Sequence, residues 1–389
     1  MTTLIFRYHR VAVTTAPTRL EIFQILEKTE FSTGSVHQMF QAAYGLQDRG
    51  HRVTIIGREG AELRRRAQQH ELSFEAVPMR NELDLASVKA IGTLIRTKKP
   101  DVIHVHKGLS HSLALAATWF HPVRCFVVNR GVSFPLEIWN RPKYRTRRVD
   151  RIVTVCHQIK DVIVDTGKVP AAKVDVIYAG TDLSIFDPAV LSATAFRDEQ
   201  SIGRDRFLIV QVGVRDWKGW KELVDAFADV AARKPEAHLA LVGCTSEEQR
   251  GEVKAYAHSS GVGERVTAVG VRNDIAAVLF SADLVVDASW AGTGITGTIR
   301  EAMALGKPVI ATDCGGNIEL ISSPELGWMV APKQREALTS AILEVMDEPE
   351  RRAQVAMEGM RHVRRGFSKD ERIKRLEGLY YRIIGSNSR

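Results

Sequence analysis

Residues Ser289–Leu320 read SWAGTGITGTIREAMALGKPVIATDCGGNIEL, and this stretch decides how the rest of the chain is interpreted. It begins with a loop of small residues, Ala291–Thr298. The residues that follow predict a short helix, Ile299–Leu305, which a glycine and a proline would end, and then an apolar strand, Val309–Ala311. Loop, helix and strand in this order are typical of a chain that alternates strands with helices.

The start of that helix is a candidate binding site. The first backbone N–H groups of a helix have no partner within it and, together with the helix dipole, favour a phosphate or diphosphate there. Glu301 is expected in the first turn, where its carboxylate could accept hydrogen bonds from a sugar diol. A well-capped helix with an ordinary first-turn acid explains the same residues equally well, so both interpretations stay open at this point.

The length and composition are those of a globular chain with two domains. It has 389 residues, of which 44% are hydrophobic and 26% charged. No apolar run reaches the length of a membrane span, and the N-terminus lacks the apolar core of a signal peptide. Four widely spaced cysteines without a CxxC pair indicate buried thiols in a reducing compartment, so we expect a cytoplasmic protein. They are Cys125, Cys156, Cys244 and Cys314.

The net charge of +8 is concentrated in the N-terminal half. Residues 1–186 contain 27 Lys and Arg against 17 Asp and Glu, whereas the remainder contains 27 against 29. Within the basic half, Asn140–Arg151 has six basic residues and one acid. This segment could meet an anionic membrane surface or an anionic acceptor, or it could be a solvated basic face. A nucleic-acid partner is not expected, because only Tyr144 offers a ring on which bases could stack.

Short apolar runs separated by helical patterns predict parallel sheets with helices on both faces. The predicted strands of the first half are Leu20–Leu26, Arg52–Gly57, Ser73–Val77, Asp101–His106, Arg124–Asn129, Arg151–Val155 and Val174–Ile177. Those of the second half are Phe207–Val212, His238–Gly243, Val266–Ala268, Leu284–Asp287 and Val309–Ala311. We therefore predict an α/β protein of two Rossmann-like, doubly wound domains that face each other across a cleft, with ligands beyond the carboxyl ends of the strands.

The domain boundaries follow from changes in composition along the chain. Residues 1–18 are expected to form an N-terminal extension, and residues 19–186 the first domain. Residues 187–205 are polar with little periodicity and are expected to be a linker. Residues 206–367 form the second predicted domain, and residues 368–385 a final, charged amphipathic helix.

Two cations follow the first strand of the second domain, in Val212–Gly219 (VGVRDWKG). Arg215 can bind a diphosphate in bidentate fashion, and Lys218 adds a point charge. A solvated loop before a helix is the alternative. The diphosphate interpretation gains weight because the helix of the opening stretch would present its N–H groups at the same edge of the sheet.

His104 and His106 are two residues apart on one predicted strand, so both side chains point to the same face. A metal pair would need a further Cys or Asp ligand at suitable spacing, which the neighbouring sequence lacks. We interpret His104 as a structural histidine and His106, at the strand end, as a residue of the cleft. The loop Phe31–Ser35 (FSTGS) before the first long helix is a second candidate anion or sugar site, or an ordinary helix cap.

Taken together, these segments resemble the retaining glycosyltransferases of family 4, which have the GT-B fold. The most specific match is EAMALGKPVIAT, followed by a glycine pair and Glu319. The segments GHRVTII, DVIHVH, IYAGTD, VGVRDWKG, HLALVG, VTAVG, SADLVVDAS and GWMV also match. The resemblance therefore extends from Leu20 to the C-terminus.

The resemblance implies roles for individual residues. His106, Arg215 and Lys218 would act at the reacting groups, with the two cations binding the donor diphosphate. Glu301 would hold the ribose hydroxyls, and Arg272 lies in the loop whose backbone meets the base. The other donor-binding residues that the resemblance implies are Gly34, Ser35, Gly213, Gly294, Ile295, Thr296, Gly297 and Thr298. The family needs no metal or cofactor, which fits the absence of a D-x-D pair from the sequence, and its final helix crosses back onto the first domain.

One departure from the family pattern concerns the loop before the helix. The family usually has a second glutamate eight residues before the ribose-binding one, in a Glu-Gly-x-Gly loop. Counting back from Glu301 gives Thr293, and aligning by the glycines gives Ala291, so neither position is acidic here. The departure puts the identity of the donor sugar, and to a lesser degree activity, in question.

The implied reaction is the transfer of a sugar, expected to be a hexose, from a nucleoside diphosphate to an acceptor hydroxyl with retention. The acceptor would be a saccharide or lipid-linked saccharide of cell-envelope polysaccharide, lipopolysaccharide or glycolipid synthesis. The protein would then be cytoplasmic or lie at the inner face of the membrane, in peripheral contact through its basic half. Two alternatives are an epimerase-like GT-B enzyme and a nucleotide-sugar-binding protein that has lost catalysis.

Overall fold

The computed structural model describes residues 19–29, 34–292 and 294–387. The predicted N-terminal extension (residues 1–18), most of the Phe31–Ser35 loop and Thr293 lie outside the described residues. Two parallel sheets with helices on both faces make up the fold, which confirms the predicted fold class.

The N-terminal sheet has seven strands in the order β3-β2-β1-β4-β5-β6-β7, and all neighbouring strands are parallel. Its strands are β1 (Glu21–Leu26), β2 (Arg52–Gly57), β3 (Ser73–Ala76), β4 (Val102–Val105), β5 (Cys125–Arg130), β6 (Arg151–Thr154) and β7 (Val174–Val176). The helices that connect them are α1 (Gly34–Asp48), α2 (Ala61–Gln69), α3 (Leu85–Lys98), α4 (Gly108–Thr118), α5 (Arg141–Arg145) and α6 (His157–Gly167).

The C-terminal sheet has six parallel strands in the order β10-β9-β8-β11-β12-β13. Its strands are β8 (Phe207–Val212), β9 (Ala237–Cys244), β10 (Val266–Gly270), β11 (Leu284–Asp287), β12 (Val309–Thr312) and β13 (Trp328–Val330). The helices of this half are α7 (Ala195–Glu199), α8 (Trp220–Arg233), α9 (Glu247–Ser259), α10 (Ile275–Ser281), α11 (Gly297–Ala304), α12 (Asn317–Leu320), α13 (Arg335–Asp347) and α14 (Pro349–Gly366), and the chain ends with α15 (Lys369–Asn387).

Each sheet reverses its strand order once, between β1 and β4 in the first sheet and between β8 and β11 in the second. Loops that leave neighbouring strands in opposite directions open a crevice at such a point, beyond the carboxyl ends of the strands. The loops after β8 and β11 contain most of the predicted site residues of the second domain. The fold therefore brings together segments that are about 80 residues apart in the sequence.

The last helix, α15, packs on the N-terminal domain and not on the domain that precedes it. Its buried residues Ile373, Leu376 and Tyr380 join Leu46 in one apolar cluster with β1, β2 and β4. Gly45 in α1 permits the close approach, because a Cβ atom there would lie 2.0 Å from the Cδ1 atom of Ile373. The final helix therefore ties the end of the chain to the first domain.

The segment predicted to be a linker contains a helix that packs on the second domain. Phe196 of α7 and Ile202 are buried in the same apolar cluster as β8 and α11. The guanidinium group of Arg197 donates to the carboxylate of Asp283 at 2.6 Å and to the carbonyl of Ser281 at 2.9 Å. The second domain thus begins before residue 206, because these few apolar and charged side chains hold the segment in place.

Candidate active site

The loops that follow β8 and β11 are joined by backbone hydrogen bonds. The backbone N–H of Trp290 donates to the carbonyl of Trp217 at 3.0 Å, and its indole N–H donates to the carbonyl of Asp216 at 2.7 Å. Gly219 has a φ of +67°, and a Cβ atom there would lie 2.0 Å from the carbonyl oxygen of Ala288. Glycine is required at this position, since any side chain would push the two loops apart.

Asp287 is the centre of the hydrogen-bond network between these loops. Its side chain is 1% exposed and accepts from Lys218 Nζ at 3.0 Å, from Thr296 Oγ1 at 2.8 Å and from Ser289 Oγ at 2.8 Å. Asn317 Nδ2 donates to the same carboxylate at 3.3 Å. A buried carboxylate that is fully hydrogen-bonded fixes the groups around it, so Asp287 sets the positions of Lys218 and Thr296 relative to each other.

Asn317 orients the start of α11 from the other side. Its Oδ1 atom accepts from the backbone N–H of Thr296 at 2.9 Å, and its Nδ2 atom also donates to the carbonyl of Thr312 at 3.2 Å. Thr296 has extended backbone angles and directly precedes the helix, which begins at Gly297. The N–H groups of Gly297 and Thr298 thus lie in the first turn, close to the residues that Asp287 holds.

The prediction that Glu301 lies in the first turn is wrong. The helix begins two residues earlier than predicted, at Gly297, which places Glu301 one turn further along. The Glu301 side chain is half-buried, and burial raises the pKa of its carboxyl group, against the opposing effect of the Arg300 charge. No hydrogen bond to this carboxylate is present within residues 19–29, 34–292 and 294–387, so its oxygens are available to a ligand.

The two remaining predicted cations are placed differently. Arg215 is exposed and directly precedes the short 3-10 turn that contains Lys218. Arg272 follows β10, two strands away from β8, where its guanidinium group is bound by the carboxylates of Asp274 and Glu199. The structure therefore brings Lys218 and Thr296 together through Asp287, whereas the side chain of Arg272 is occupied elsewhere.

The N-terminal domain contributes the two predicted histidines. The rings of His104 and His106 stack with their centroids 4.4 Å apart. His104 Nδ1 lies 2.6 Å from Tyr380 Oη of α15, and His106 Nε2 lies 2.6 Å from Gln24 Oε1. Burial lowers the pKa of His104 to about 3 and that of His106 well below its ordinary value, so both rings are neutral near pH 7.

His106 lies one residue beyond β4, at the point where the first sheet reverses its strand order. Its Nδ1 atom is buried and has no hydrogen-bond partner among the described residues, as is also true of His104 Nε2. Gly34 and Ser35 form the first turn of α1, and a Cβ atom at Gly34 would meet nothing within 4 Å. His106 ends a central strand but is only 3% exposed, so its role in the cleft stays a prediction.

The two domains contact each other around the loop that contains Gly294 and Ile295. Ile295 packs against the apolar clusters of both domains, and a Cβ atom at Gly294 would lie 3.2 Å from Val155 Cγ2 of the first domain. Glu319 accepts from the backbone N–H of His157 at 2.8 Å, at the start of α6. These contacts place the start of α11 directly against the N-terminal domain.

Two buried arginines near the site could not be recognised in the sequence. Arg300 is 4% exposed and donates through Nε to Thr181 Oγ1 at 2.7 Å. Arg372 of α15 is 2% exposed and donates to the carbonyls of Ile177 and Tyr178 at 3.0 and 3.1 Å. Both arginines therefore stabilise residues 177–181, where the chain leaves the N-terminal sheet for the second domain.

Two family models match adjacent parts of the chain and together cover most of it. Residues 33–185 match the model described as Glycosyltransferase Family 4, and residues 192–362 match the model described as Glycosyl transferases group 1. The chain belongs to glycosyltransferase family 4. The two matched ranges coincide with the two sheets described above, and the GT-B arrangement of the domains is that of the family.

Named relatives of this glycosyltransferase come from several bacteria. It is 23% identical over 320 residues to an Escherichia coli UDP-Gal:alpha-D-GlcNAc-diphosphoundecaprenol alpha-1,3-galactosyltransferase, which covers 77% of this chain and 80% of the relative. It is 27% identical over 237 residues to the lipopolysaccharide core biosynthesis mannosyltransferase LpsB of Rhizobium meliloti, which covers 58% and 66% of the two chains. Among solved structures, HepE of Anabaena in complex with UDP is similar in fold, with a TM-score of 0.82, 18% identity and coverage of 93% and 100%.

Within residues 19–29, 34–292 and 294–387, no group of three or more His, Cys, Asp or Glu side chains is arranged to hold a metal ion. In the same ranges, no helix combines the length and the apolar character that crossing a membrane requires.

Five side chains of this region were not predicted from the sequence to be site residues. They are Asp287, Arg300, Asn317, Glu319 and Arg372. Asp287 had one usable signal, because it ends the apolar run LVVD at the carboxyl end of a central strand. Position at such a strand end is typical of functional residues in open parallel sheets. Asn317 and Arg372 gave no comparable signal.

Proposed function

We propose that this glycosyltransferase transfers a hexosyl group from a nucleoside diphosphate sugar to an acceptor hydroxyl, with retention and without a metal or other cofactor. The observation that carries the proposal is the network in which Asp287 holds Lys218 beside Thr296 at the start of α11. A cation and helix N–H groups that point to one place suit the diphosphate that leaves during the reaction.

In this proposal the second domain binds the nucleotide part of the donor. Lys218, with Arg215 at the exposed rim, stabilises the charge that develops on the leaving diphosphate, together with backbone groups from Gly213 and residues 294–298. Preorganised donors of this kind act where charge develops in the transition state. Glu301 accepts hydrogen bonds from the ribose hydroxyls, and the backbone next to Arg272 meets the base.

The first domain would contact the sugar. His106 is neutral because of its burial, so its ring can exchange hydrogen bonds with a sugar hydroxyl without adding charge. Gly34 and Ser35, in the first turn of α1, would lie beside the donor sugar and the acceptor. The position that holds an acid in most of the family is Ala291 or Thr293 here, and we propose that this difference changes which donor sugar is accepted.

We further propose that the acceptor is a saccharide or lipid-linked saccharide of cell-envelope synthesis and that the enzyme acts in the cytoplasm at the inner face of the membrane. Support comes from the relatives, whose names include a diphosphoundecaprenol-linked substrate and lipopolysaccharide core synthesis. The basic N-terminal half is the expected acceptor side.

The test is sugar transfer by the purified enzyme over a panel of nucleoside diphosphate sugars, with and without a chelator, and with the anomeric configuration of the product determined by NMR. Lys218→Ala and Glu301→Ala should each lower kcat/KM for the donor, the first by on the order of 10²-fold. Lys221→Ala is the matched control, since Lys221 lies three residues further on and pairs with Glu252 on the outer surface.

Three results would count against parts of the proposal. Transfer that survives both site variants would contradict the site assignment, and an inverted product would contradict retention. Activity that disappears with the chelator and returns with a divalent cation would contradict metal independence. Epimerised nucleotide sugar without any acceptor would instead support the epimerase-like alternative, and tight donor binding without turnover would support the binding protein.

A further inference from the structure

Five large apolar side chains of the N-terminal domain are exposed in the two segments that follow α4 and β5. Trp119 and Phe120 follow α4 and are 63% and 77% exposed, and Phe134, Ile138 and Trp139 follow β5 and are 67%, 70% and 75% exposed. Each of the two segments exposes large apolar side chains close together in the sequence, and surfaces of this kind often contact another molecule or a membrane. We call the surface formed by these five residues and the intervening basic side chains the aromatic strip.

Two sets of contacts hold the parts of the strip together. Arg148 donates to the carbonyl of Thr118 at 2.9 Å, and its guanidinium carbon lies 4.3 Å from the centre of the Trp119 ring. Lys143 of α5 donates to Ser112 Oγ of α4 at 3.0 Å. The segment that contains α5 therefore lies along α4, whose 11 residues span roughly 16 Å.

The strip begins at the edge of the candidate active site. Ser133, next to Phe134, donates through Oγ to the carbonyl of Gly292 at 3.2 Å, in the loop before α11. Trp119 directly follows the C-terminal end of α4, whereas Lys143 contacts the N-terminal half of that helix at Ser112. The strip thus extends from the cleft between the domains to the far end of the N-terminal domain.

The charges among these apolar residues are mainly positive. Arg145 and Arg147 are exposed, and Lys143 and Arg148 lie between them and α4. Two acids lie nearby: Glu82, whose carboxylate is bound by Lys143 and Ser112, and the exposed Glu137. Cations therefore outnumber acids around the exposed rings.

The C-terminal domain has no comparable surface within its described residues. Its exposed large apolar side chains away from the candidate active site are dispersed along the chain, at Val190, Val271, Ile318 and Met357. Single exposed apolar residues of this kind are ordinary. Within the described residues, exposed aromatic rings and exposed arginines occur together in the segments that follow α4 and β5 of the N-terminal domain.

We infer that the aromatic strip docks this enzyme on an anionic lipid bilayer, with the indole and phenyl rings entering the headgroup region and the arginines contacting lipid phosphates. Tryptophan is favoured at the boundary between headgroups and acyl chains, and basic side chains add attraction to an anionic surface. A second copy of the chain is a poor occupant, because it would bring arginines against arginines. Membrane docking would hold the cleft beside a lipid-linked acceptor, and only this purpose rests on the proposed function.

The first test measures sedimentation of the full-length protein with vesicles of phosphatidylcholine alone or mixed with phosphatidylglycerol, at low and high salt and without any sugar donor. The wild type should bind the mixed vesicles and should dissociate as salt rises. Trp119→Ser with Phe120→Ser should lower the partition coefficient at least about tenfold. Arg145→Gln with Arg147→Gln should lower it on the order of 30-fold, since each cation contributes separately.

Matched controls remove the same chemistry from the other domain. Val190→Ser takes away an exposed apolar side chain, and Arg204→Gln with Arg233→Gln takes away two exposed arginines. Both should bind vesicles like the wild type. Equal binding of the wild type to both vesicle types, or undiminished binding of the strip variants, would overturn the inference.

The second test reports insertion directly, by quenching of tryptophan fluorescence with brominated acyl chains in the mixed vesicles. Trp119 and Trp139 are in the strip, whereas the other four tryptophans, Trp217, Trp220, Trp290 and Trp328, are in the C-terminal domain. Quenching should occur in the wild type and disappear in Trp119→Phe with Trp139→Phe. Quenching that persists would overturn the inference, as would a wild-type dimer in solution that the strip variants convert to a monomer. Neither readout requires sugar transfer, so failure of the proposed reaction would leave these results interpretable.

Discussion

Asp287 is the residue on which the geometry of the site depends most directly, since it fixes both Lys218 and Thr296. Asp287→Asn should raise KM for the donor and lower kcat by about tenfold or more, because the amide cannot accept from all of its present donors. The free energy of unfolding should fall by about 1–3 kcal/mol.

The matched control for that substitution lies at the other end of the same strand. Asp283 precedes β11 and accepts from Arg197 and from the backbone N–H of Leu208. Asp283→Asn should lower thermal stability without changing donor KM, as judged by calorimetry and steady-state kinetics. Equal kinetic effects at the two ends would show that strand stability, and not the position of Lys218, determines activity.

Glu301 leads to a prediction about pH. Burial raises the pKa of its carboxyl group above the ordinary value of 4.5, so the folded protein holds this proton more tightly than the unfolded chain does. The wild type therefore loses stability as pH rises from 4.5 towards the raised pKa of Glu301. Glu301→Gln, which carries no titrating proton, should be more stable than the wild type at neutral pH and equally stable below pH 4.5. Thermal unfolding between acid and neutral pH measures the difference, with the exposed Glu336→Gln as control.

The same substitution should weaken donor binding, because a neutral amide is a poorer acceptor for the ribose diol than a carboxylate. A variant that is more stable without ligand and binds the donor less well is the pattern expected of a site residue. If Glu301→Gln binds the donor as the wild type does, the carboxylate does not hold the ribose.

The packing of helix α15 on the N-terminal domain leads to a prediction about stability that does not depend on function. Leu376 is fully buried between α15 and the N-terminal domain. Leu376→Ala should lower the free energy of unfolding by about 2–5 kcal/mol, because the cavity adds to the lost apolar contact. Met357→Ala on α14 is the control, since Met357 is 44% exposed, and denaturant unfolding should show little change for it. Similar losses for both variants would contradict the docking of α15.

Among the strands of the described residues, only β13 was not predicted from the sequence, whereas no helix was predicted at α4 or α14, and the reasons are physical. Fully buried strands such as β4 form short apolar runs that are easy to recognise. Helix α4 is buried on most of its surface, so its residues lack the alternation of polar and apolar faces that predicts a helix. Helix α14 was missed because its buried face consists of small residues, with Ala356 and Gly359 between Val355 and Val363.

The candidate active site could be predicted only in part from the sequence, because it forms where segments that are far apart in the chain meet. Lys218 and the loop before Glu301 were recognised as separate segments, each before a helix. Asp287 and Asn317 complete the network; the strand-end position of Asp287 was a usable signal, whereas nothing local in the sequence distinguishes Asn317 from other polar residues at helix ends. Their role follows from the strand order, in which the reversal between β8 and β11 and the neighbouring strand β12 bring the loops after these three strands together.

The contact between the domains gives the last prediction. Glu319 of the second domain accepts from the backbone N–H groups of His157 and Gln158 at 2.8 and 3.3 Å and from Tyr178 Oη at 3.1 Å. A carboxylate at the start of a helix contributes about 1 kcal/mol through the helix dipole and the unpaired N–H groups. Glu319→Ala should therefore reduce the population of the arrangement with the domains in contact by roughly fivefold.

Small-angle X-ray scattering should then give a larger radius of gyration for Glu319→Ala than for the wild type, and kcat should fall a few-fold because the cleft closes less often. The neighbouring Ile318 is 59% exposed, and Ile318→Ala should leave both measurements unchanged. A radius of gyration that is the same in all three proteins would mean that the apolar contact at Ile295 holds the domains together without Glu319. In that case the two apolar clusters that share Ile295, and not the charged contact, would control how the cleft opens.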